Sequence, residues 1–338
     1  AMTIAAKITG TGSAFPPRRV TNTDLSTKLA ELGGETSDQW IRERTGICER
    51  RYADAANDRV PSASLAAQAS IQALEMAGKK PSDIDQIIVA TCSPDTMIPS
   101  TACWLQEKIG AKNAWAMDIN AACTGFVYGL ATVAQFIQTG QTKTALVVGS
   151  EVLHPYLNWN DRSSCILFGD GAGAAVVEGV PADSERRIMS WHLSSDGKFG
   201  DLLYIPTPEQ IAFCPDGVTG GNGSKMVMNG REIFKVAVRT LTSIAQTALS
   251  NNGITIDMVD WFVPHQANQR ILEAVAQRLG LPSEKVLINV DRYGNTSSAT
   301  IPTVLDEAVR DGRIKEGQLL LLDAFGAGFT YGAMLIRW

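Results

Sequence analysis

The sequence predicts an α/β protein with buried sheets, built from two similar halves. Three observations lead there. Short, wholly apolar runs alternate with longer segments whose apolar residues recur at helical spacing. The same theme restarts after Pro181. Two landmarks repeat at one spacing: Cys123 falls on Asn295 and Gly140 on Gly312, each pair 172 positions apart (295 − 123 and 312 − 140). The chain is divided accordingly into 1–180, carrying the cysteine, and 181–338, carrying His265 and Asn295. Its 338 residues, 45% hydrophobic, suffice for two such units.

In chain order, 3–12 reads as a first strand, closed by Gly12 and Pro16-Pro17. Asn22 or Thr23 caps a short helix broken by Gly33-Gly34, and Ser37 or Asp38 caps the helix bearing Trp40 and Arg44. Ser62 or Ser64 caps a helix reaching Met76. Strands at 84–91, 114–119 and 144–148 alternate with helices at 101–109 and 124–139. Short strands at 165–168 and 174–177 flank a Gly-rich turn, 169–173. In the second half 188–195 is a strand, and 206–225 a long polar stretch rich in Gly and Pro, of a kind that usually serves function. Helices at 230–250, 268–279 and 297–310 alternate with strands at 259–263, 285–289 and 318–322, and 331–337 is the last strand.

Composition excludes several classes of function. A net charge of −5 gives no general affinity for nucleic acid or anionic membranes. No apolar run spans a bilayer and no signal-peptide pattern opens the chain, so a cytoplasmic protein with reduced thiols is expected. The six cysteines (Cys48, Cys92, Cys103, Cys123, Cys165 and Cys214) have no C-x-x-C spacing, and the histidines are only three, His154, His192 and His265. Neither a disulfide framework nor a metal site is expected.

The chemistry centres on Ala121-Ala122-Cys123-Thr124-Gly125-Phe126, where a buried strand gives way to a buried helix. A cysteine at such a junction faces the positive end of the helix dipole, which lowers its pKa toward neutrality. Taken alone, a cysteine in this setting is more often a core residue. His265, in Val263-Pro264-His265-Gln266-Ala267-Asn268, follows a buried strand directly, and Asn295, in Gly294-Asn295-Thr296-Ser297, is tied to Cys123 by the repeat. Thiolate, imidazole and carboxamide at one point supply a nucleophile and two donors for a developing negative charge.

These stretches, with Phe168-Gly169-Asp170-Gly171-Ala172-Gly173-Ala174, resemble the thiolase superfamily and, within it, the β-ketoacyl-acyl-carrier-protein synthase III family, along nearly the whole chain. The resemblance implies a thiolase-like duplicated α/β fold of five layers, α-β-α-β-α. It implies an acyltransferase that condenses an acyl-CoA primer with malonyl-acyl carrier protein, with loss of carbon dioxide, to initiate fatty acid biosynthesis. Cys123 would carry the acyl group, while His265 and Asn295 would stabilise the malonyl-derived enolate. The backbone N–H groups of Cys123 and Ala327 would form the oxyanion hole. No cofactor is implied beyond the CoA thioester brought as substrate.

By the same resemblance Trp40, Arg44 and Arg162 hold the nucleotide end of CoA, and Gly230, Phe234 and Asn268 line the pantetheine channel. Arg231, Lys235 and Arg270 form a basic group at its mouth for the acidic carrier. The family is homodimeric, and a loop at 92–99 would cross so that Ile98 closes the partner's acyl pocket. Three departures stand out: Ala327 where the family usually has glycine, Arg231 where a smaller polar residue is common, and a longer 206–225. The alternative within the fold is a specialised condensing enzyme or acyltransferase of secondary metabolism with another primer or acceptor. A papain-like hydrolase shares the order Cys, His, Asn, but its local Cys-Gly-Ser-Cys-Trp pattern is absent. A non-catalytic subunit of the same fold would lack the nucleophile, and Cys123 is present.

Overall fold

The computed structural model describes residues 3–54, 56–207 and 225–338. Most of 206–225, including Cys214, lies outside the described residues. The first half runs β1 (Ile4–Ala14), β2 (Arg18–Thr21), α1 (Asn22–Glu31), α2 (Asp38–Thr45), β3 (Glu49–Tyr52), α3 (Pro61–Ala77), β4 (Gln86–Ala90), α4 (Thr101–Ile109), β5 (Trp115–Ile119), α5 (Gly125–Gln138), β6 (Thr144–Glu151), α6 (Arg162–Cys165) and β7 (Gly171–Pro181). The second runs β8 (Arg187–Ser195), β9 (Leu203–Tyr204), β10 (Val227–Met228), α7 (Gly230–Asn251), β11 (Trp261–Pro264), α8 (Gln269–Leu279), α9 (Val290–Tyr293), α10 (Thr300–Arg310), β12 (Leu319–Gly326) and β13 (Thr330–Arg337).

Two large sheets result, ordered β1-β7-β6-β4-β5 and β8-β13-β12-β11, beside the two-stranded pairs β2-β3 and β9-β10. The second repeats the first strand for strand, with β11 parallel to β12 as β4 is to β6. Where β5 would have its counterpart, Val286 makes a single parallel bridge to Phe262, so the strand expected at 285–289 shrinks to one residue.

Successive residues of the central strands face opposite layers. Ile87 and Val89 pack under α3 and α4 (Leu65, Ala69, Leu105), while Ile88 and Val147 meet α5 and α10 (Leu130, Val133, Val304, Leu305). On the far side Leu319, Leu321 and Leu335 are covered by α7 and α8 (Leu241, Ala245, Val275, Leu279). The layers are therefore helix, sheet, helix, sheet, helix, with α5 and α10 sandwiched between the sheets.

Local chemistry moves some boundaries. Thr21 caps α1 through a reciprocal capping box with Asp24, and Ser37 caps α2. Pro61 occupies the first turn of α3, so Ser62 and Ser64 lie inside that helix. The supposed Gly-rich turn at 169–173 runs straight into β7. A Cβ on Gly173 would lie 2.6 Å from Pro302 of α10, so glycine is required there by close approach rather than by a turn. The strand expected at 165–168 is the end of α6 followed by one bridge, Phe168 to Asn295.

The internal repeat runs in a register different from the one read off the sequence. β4 and β11 begin at 86 and 261, β6 and β12 at 144 and 319, a spacing of 175 in both (261 − 86 and 319 − 144). Asn295 thus corresponds to Asn120, and Cys123 to Ser298. The two asparagines make the same turn: Asn120 Oδ1 accepts from the Ala122 N–H at 3.1 Å, and Asn295 Oδ1 from the Ser297 N–H at 2.8 Å. The residue that follows each turn is left-handed, Ala122 at φ 48° and Ser297 at φ 53°.

Candidate active site

Cys123 sits in the 3-10 turn Ala122–Thr124 that joins the end of β5 to α5. The left-handed Ala122 is an uncommon conformation for a residue with a Cβ, and such strain gathers at functional sites. The end of β12 lies directly on the cysteine: a Cβ on Gly326 would come within 2.7 Å of the Cys123 backbone nitrogen. The side chain is buried. Burial pushes the thiol up to about 12, opposed by a hydrogen bond from the Ser297 hydroxyl and reinforced by the nearby carboxylate of Glu151. The expected drop toward neutrality is overturned. A helix terminus contributes about 0.3–1 kcal/mol, whereas each pKa unit costs about 1.4 kcal/mol, so desolvation wins. At rest Cys123 is a protonated thiol, which would need a base to react as a thiolate.

His265 follows β11 and is fixed to the neighbouring strand by its N–H, which donates to the Asp323 carbonyl at 2.8 Å. Its ring is buried, which draws its pKa down to about 3 and keeps the imidazole neutral. Ring Nδ1 lies 2.7 Å from the Thr300 hydroxyl oxygen. Asn295 is clamped by its backbone: its N–H donates to Leu167, and its carbonyl accepts from the Gly169 N–H. With Oδ1 held by Ser297, the amide NH₂ is the group left to meet a ligand.

Cys123, His265 and Asn295 line one cavity of about 890 Å³. Trp40, Arg44, Gly230, Phe234 and Asn268 line the same cavity, as do Arg231, Lys235 and Arg270, all three exposed. A second cavity of about 460 Å³ shares Cys123, Phe168 and Leu203 with the first and is walled by Leu153, Ile205, Met226 and Ala327. Cys123 therefore stands where the larger cavity meets a smaller, largely apolar one.

Arg162 does not line the channel. Its guanidinium lies 4.5 Å from the Trp40 ring centre, that of Arg44 4.3 Å, and Arg162 also donates to the Glu35 carbonyl. Trp40 is thus already stacked by arginine. Asn268 caps α8 and donates to the Arg44 carbonyl at 3.2 Å. Lys235 pairs with Glu232, and Arg270 lies 5.9 Å from the Phe234 ring. Ala327 keeps a negative φ, since Ala122 and Ser297 are the non-glycine residues at positive φ among the described residues. Alanine in the Gly-rich turn therefore carries no conformational penalty. Ile98 lines neither cavity of this chain and is 85% exposed.

Sequence reasoning passed over Ser297 as a partner of the thiol, although it stood beside Asn295. It also passed over Glu151, a fully buried carboxylate that accepts from Thr91, Ser93, Ser298 and the Cys92 amide. An acidic residue closing the apolar run of β6 was the available signal. Asp170 of the Gly-rich motif is structural: it accepts from the Ala53, Leu153 and His154 backbone N–H groups and meets the His154 ring. Among the described residues no cluster of three metal-ligating side chains occurs, and no helix is long and apolar enough to cross a membrane.

Residues 117–197 match the family profile of 3-oxoacyl-[acyl-carrier-protein] synthase III, and 249–338 the profile of its C-terminal part. The beta-ketoacyl-[acyl-carrier-protein] synthase III of Alkalilimnicola ehrlichii is 50% identical over 335 residues, 98% of this chain and 99% of that protein. The crystal structure of 3-oxoacyl-[acyl-carrier-protein] synthase III from Aquifex aeolicus superposes with a TM-score of 0.88 at 41% identity, covering 98% of this chain and all of the other (100%). The priming β-ketosynthase of a polyketide biosynthetic pathway superposes equally well, TM-score 0.88, at 34% identity, covering 98% of this chain and 96% of that one.

Proposed function

The chain belongs to the β-ketoacyl-[acyl-carrier-protein] synthase III family of thiolase-fold acyltransferases, and we propose that it carries out that condensation with Cys123 as nucleophile, His265 as base and donor, and Asn295 as donor. The activity rests on close identity along the whole length of its relatives. The assignment of roles rests on one observation: the three side chains meet on a single channel whose inner end opens into an apolar pocket at Cys123.

In the first half-reaction the neutral His265 ring takes the thiol proton as the Cys123 sulfur attacks an acyl-CoA thioester. The new S–C bond forms, the C–S bond to CoA breaks, and CoA leaves as a thiolate that solvent protonates. The acyl chain occupies the smaller pocket. In the second, malonyl carried on the acyl carrier protein loses carbon dioxide, and the released electron pair forms an enolate. Its oxygen is held by the protonated His265 ring and the Asn295 amide. The enolate carbon attacks the acyl-cysteine, and Cys123 departs as a thiolate that recovers its proton from His265. The N–H groups of Cys123 and Ala327 hold the oxyanion of each tetrahedral intermediate. Decarboxylation supplies the electron pair, so this scheme draws on no redox or metal cofactor.

The side chains suit CoA: Trp40 with Arg44 and Arg162 for the nucleotide, Gly230, Phe234 and Asn268 along the pantetheine. Arg231, Lys235 and Arg270 offer the carrier a cationic rim. A second copy of the chain is proposed to cover β5, an open sheet edge, and the adjoining loop, where Met97 and Ile98 are 83% and 85% exposed. A cytoplasmic reaction is proposed, a reading supported by the acyl-CoA and carrier substrates and by the free thiols. The likeness to a polyketide priming synthase keeps one alternative open, a different primer handled by the same residues. Incubation with a panel of acyl-CoAs, followed by intact mass, tests both. The expected result is a single acyl adduct, absent in Cys123→Ala, with the favoured primer separating the two pathways. Acylation of the alanine variant would dismiss Cys123 as nucleophile.

A further inference from the structure

We propose that Thr300 is a positioning residue that sets which nitrogen of His265 carries the proton, leaving Nε2 free to act on Cys123. The inference rests on the roles given above to Cys123 and His265. The Thr300 hydroxyl oxygen lies 2.7 Å from His265 Nδ1 and 3.0 Å from the Ser297 carbonyl. A hydroxyl has one proton to give. The Ser297 carbonyl can only accept, so it takes that proton, and the Thr300 oxygen must then accept from an Nδ1–H. A neutral imidazole with its proton on Nδ1 presents a bare lone pair at Nε2, the form that can accept a proton from a thiol.

Both ends of this relay are held in place. Ser297 is fixed in its left-handed conformation by the hydrogen bond to Asn295. His265 is fixed by its N–H to Asp323, and Thr300 is the first residue of α10, packed at the centre of the molecule. The ring is buried and neutral, so the arrangement of its partners, not its charge, decides the tautomer. The opposite tautomer would leave Nε2–H unable to receive the thiol proton, and acyl transfer would then wait for the thiol to ionise unaided. The proton that Nε2 takes from Cys123 is the one it later presents to the enolate oxygen. Thr300 thus acts chiefly on the first half-reaction.

Three variants and two readouts test this. Thr300→Ser keeps the hydroxyl, Thr300→Val keeps the shape without it, and Thr300→Ala is a second hydroxyl-free form should valine fold poorly. With histidine labelled by ¹⁵N, and only three histidines in the chain, the resting protein reports the tautomer directly. The expected result is protonated Nδ1 and bare Nε2 for His265 in the wild type and in Thr300→Ser, and a shift toward protonated Nε2 in Thr300→Val. In single turnover, acylation by acyl-CoA near neutral pH should fall about tenfold or more in Thr300→Val and be restored in Thr300→Ser, the loss of one net hydrogen bond. The variant's rate should climb with pH toward that of the wild type as the thiol ionises without help, while KM for acyl-CoA stays put. A wild-type His265 protonated on Nε2 would overturn the proposal, as would equal loss of acylation and malonyl decarboxylation with an unchanged pH profile. An altered tautomer with unaltered acylation would leave Thr300's control of the ring standing and remove His265 as the base.

Discussion

At the residue scale, Cys123 and His265 are tuned by burial against the charge each would carry, and stability must register it. His265 is held near pKa 3 in the folded chain against about 6.5 unfolded, so between those values the unfolded chain binds the extra proton. Its contribution is complete above about 6.5 and lost as pH falls toward 3, by about 1.4 kcal/mol per unit. Cys123 is the mirror case: pushed up to about 12 from 9.0, it takes stability away as pH rises past the unfolded value. Urea unfolding at pH 4, 5 and 7 should show a flatter acid limb in His265→Gln than in the wild type, and parallel limbs would refute the shift. Asp323 is fully buried, neither of its carboxylate oxygens has a hydrogen-bond partner among the described residues, and burial holds its pKa well above the usual carboxylate range. Asp323→Asn should therefore stabilise the protein at pH 8, by about 1–3 kcal/mol, and less at pH 4. That Cys123, His265 and Asn295 would meet was legible, because each stands in a short motif at the junction of two elements. The state of the thiol was not, because its burial depends on segments such as the end of β12 at Gly326, some two hundred positions away in the chain.

At the scale of elements, the repeat was legible but its register was not. Gly140 and Gly312 both close the loop after a central helix, at φ 78° and 79°, and drew the alignment to 172. The helices they follow differ in length, 14 residues in α5 and 11 in α10, so the spacing is 175 at their starts. Sequence matching seized the C-terminal landmark and carried the error back to Cys123. The strand at 285–289 failed for another reason: its apolar residues serve a single bridge and the core rather than a ladder. Close approach between elements gives a sharp test. A Cβ on Gly149 of β6 would lie 2.2 Å from the Ser298 carbonyl oxygen, a contact only backbone movement can relieve. Gly149→Ala should cost about 1–3 kcal/mol in urea unfolding. It should also slow acylation, because the turn it displaces carries Ser297 and precedes Thr300. Unchanged stability would mean that the central helix gives way without cost.

At the scale of the whole molecule, the two exposed apolar side chains on the 92–99 loop and the open edge at β5 lead to a concrete expectation. Solution mass should be about twice 36.3 kDa, and Ile98→Trp should move the primer preference toward acetyl-CoA, since a methylene in such a pocket is worth roughly 1–3 kcal/mol. A fully active monomer, or a chain-length profile indifferent to Ile98, would remove the partner from the pocket. The five layers were foreseeable from alternation and resemblance, whereas the meeting of two cavities at Cys123 depends on the β9 and β10 hairpin, whose four residues carry no periodic signal. The division of the site between the halves also orders events in time. Cys123 leaves the ribosome 142 positions ahead of His265 (265 − 123), roughly seven to thirty seconds at ordinary rates of synthesis. Through that interval it is an ordinary thiol with no imidazole to draw its proton and no β12 laid against its amide. The newborn chain cannot be charged with an acyl group by its own machinery, because the base, Asn295 and β12 are all delivered after the thiol. The same interval is when the thiol stands most open to oxidants, so damage to this enzyme under oxidative stress should fall on chains still being made rather than on finished ones.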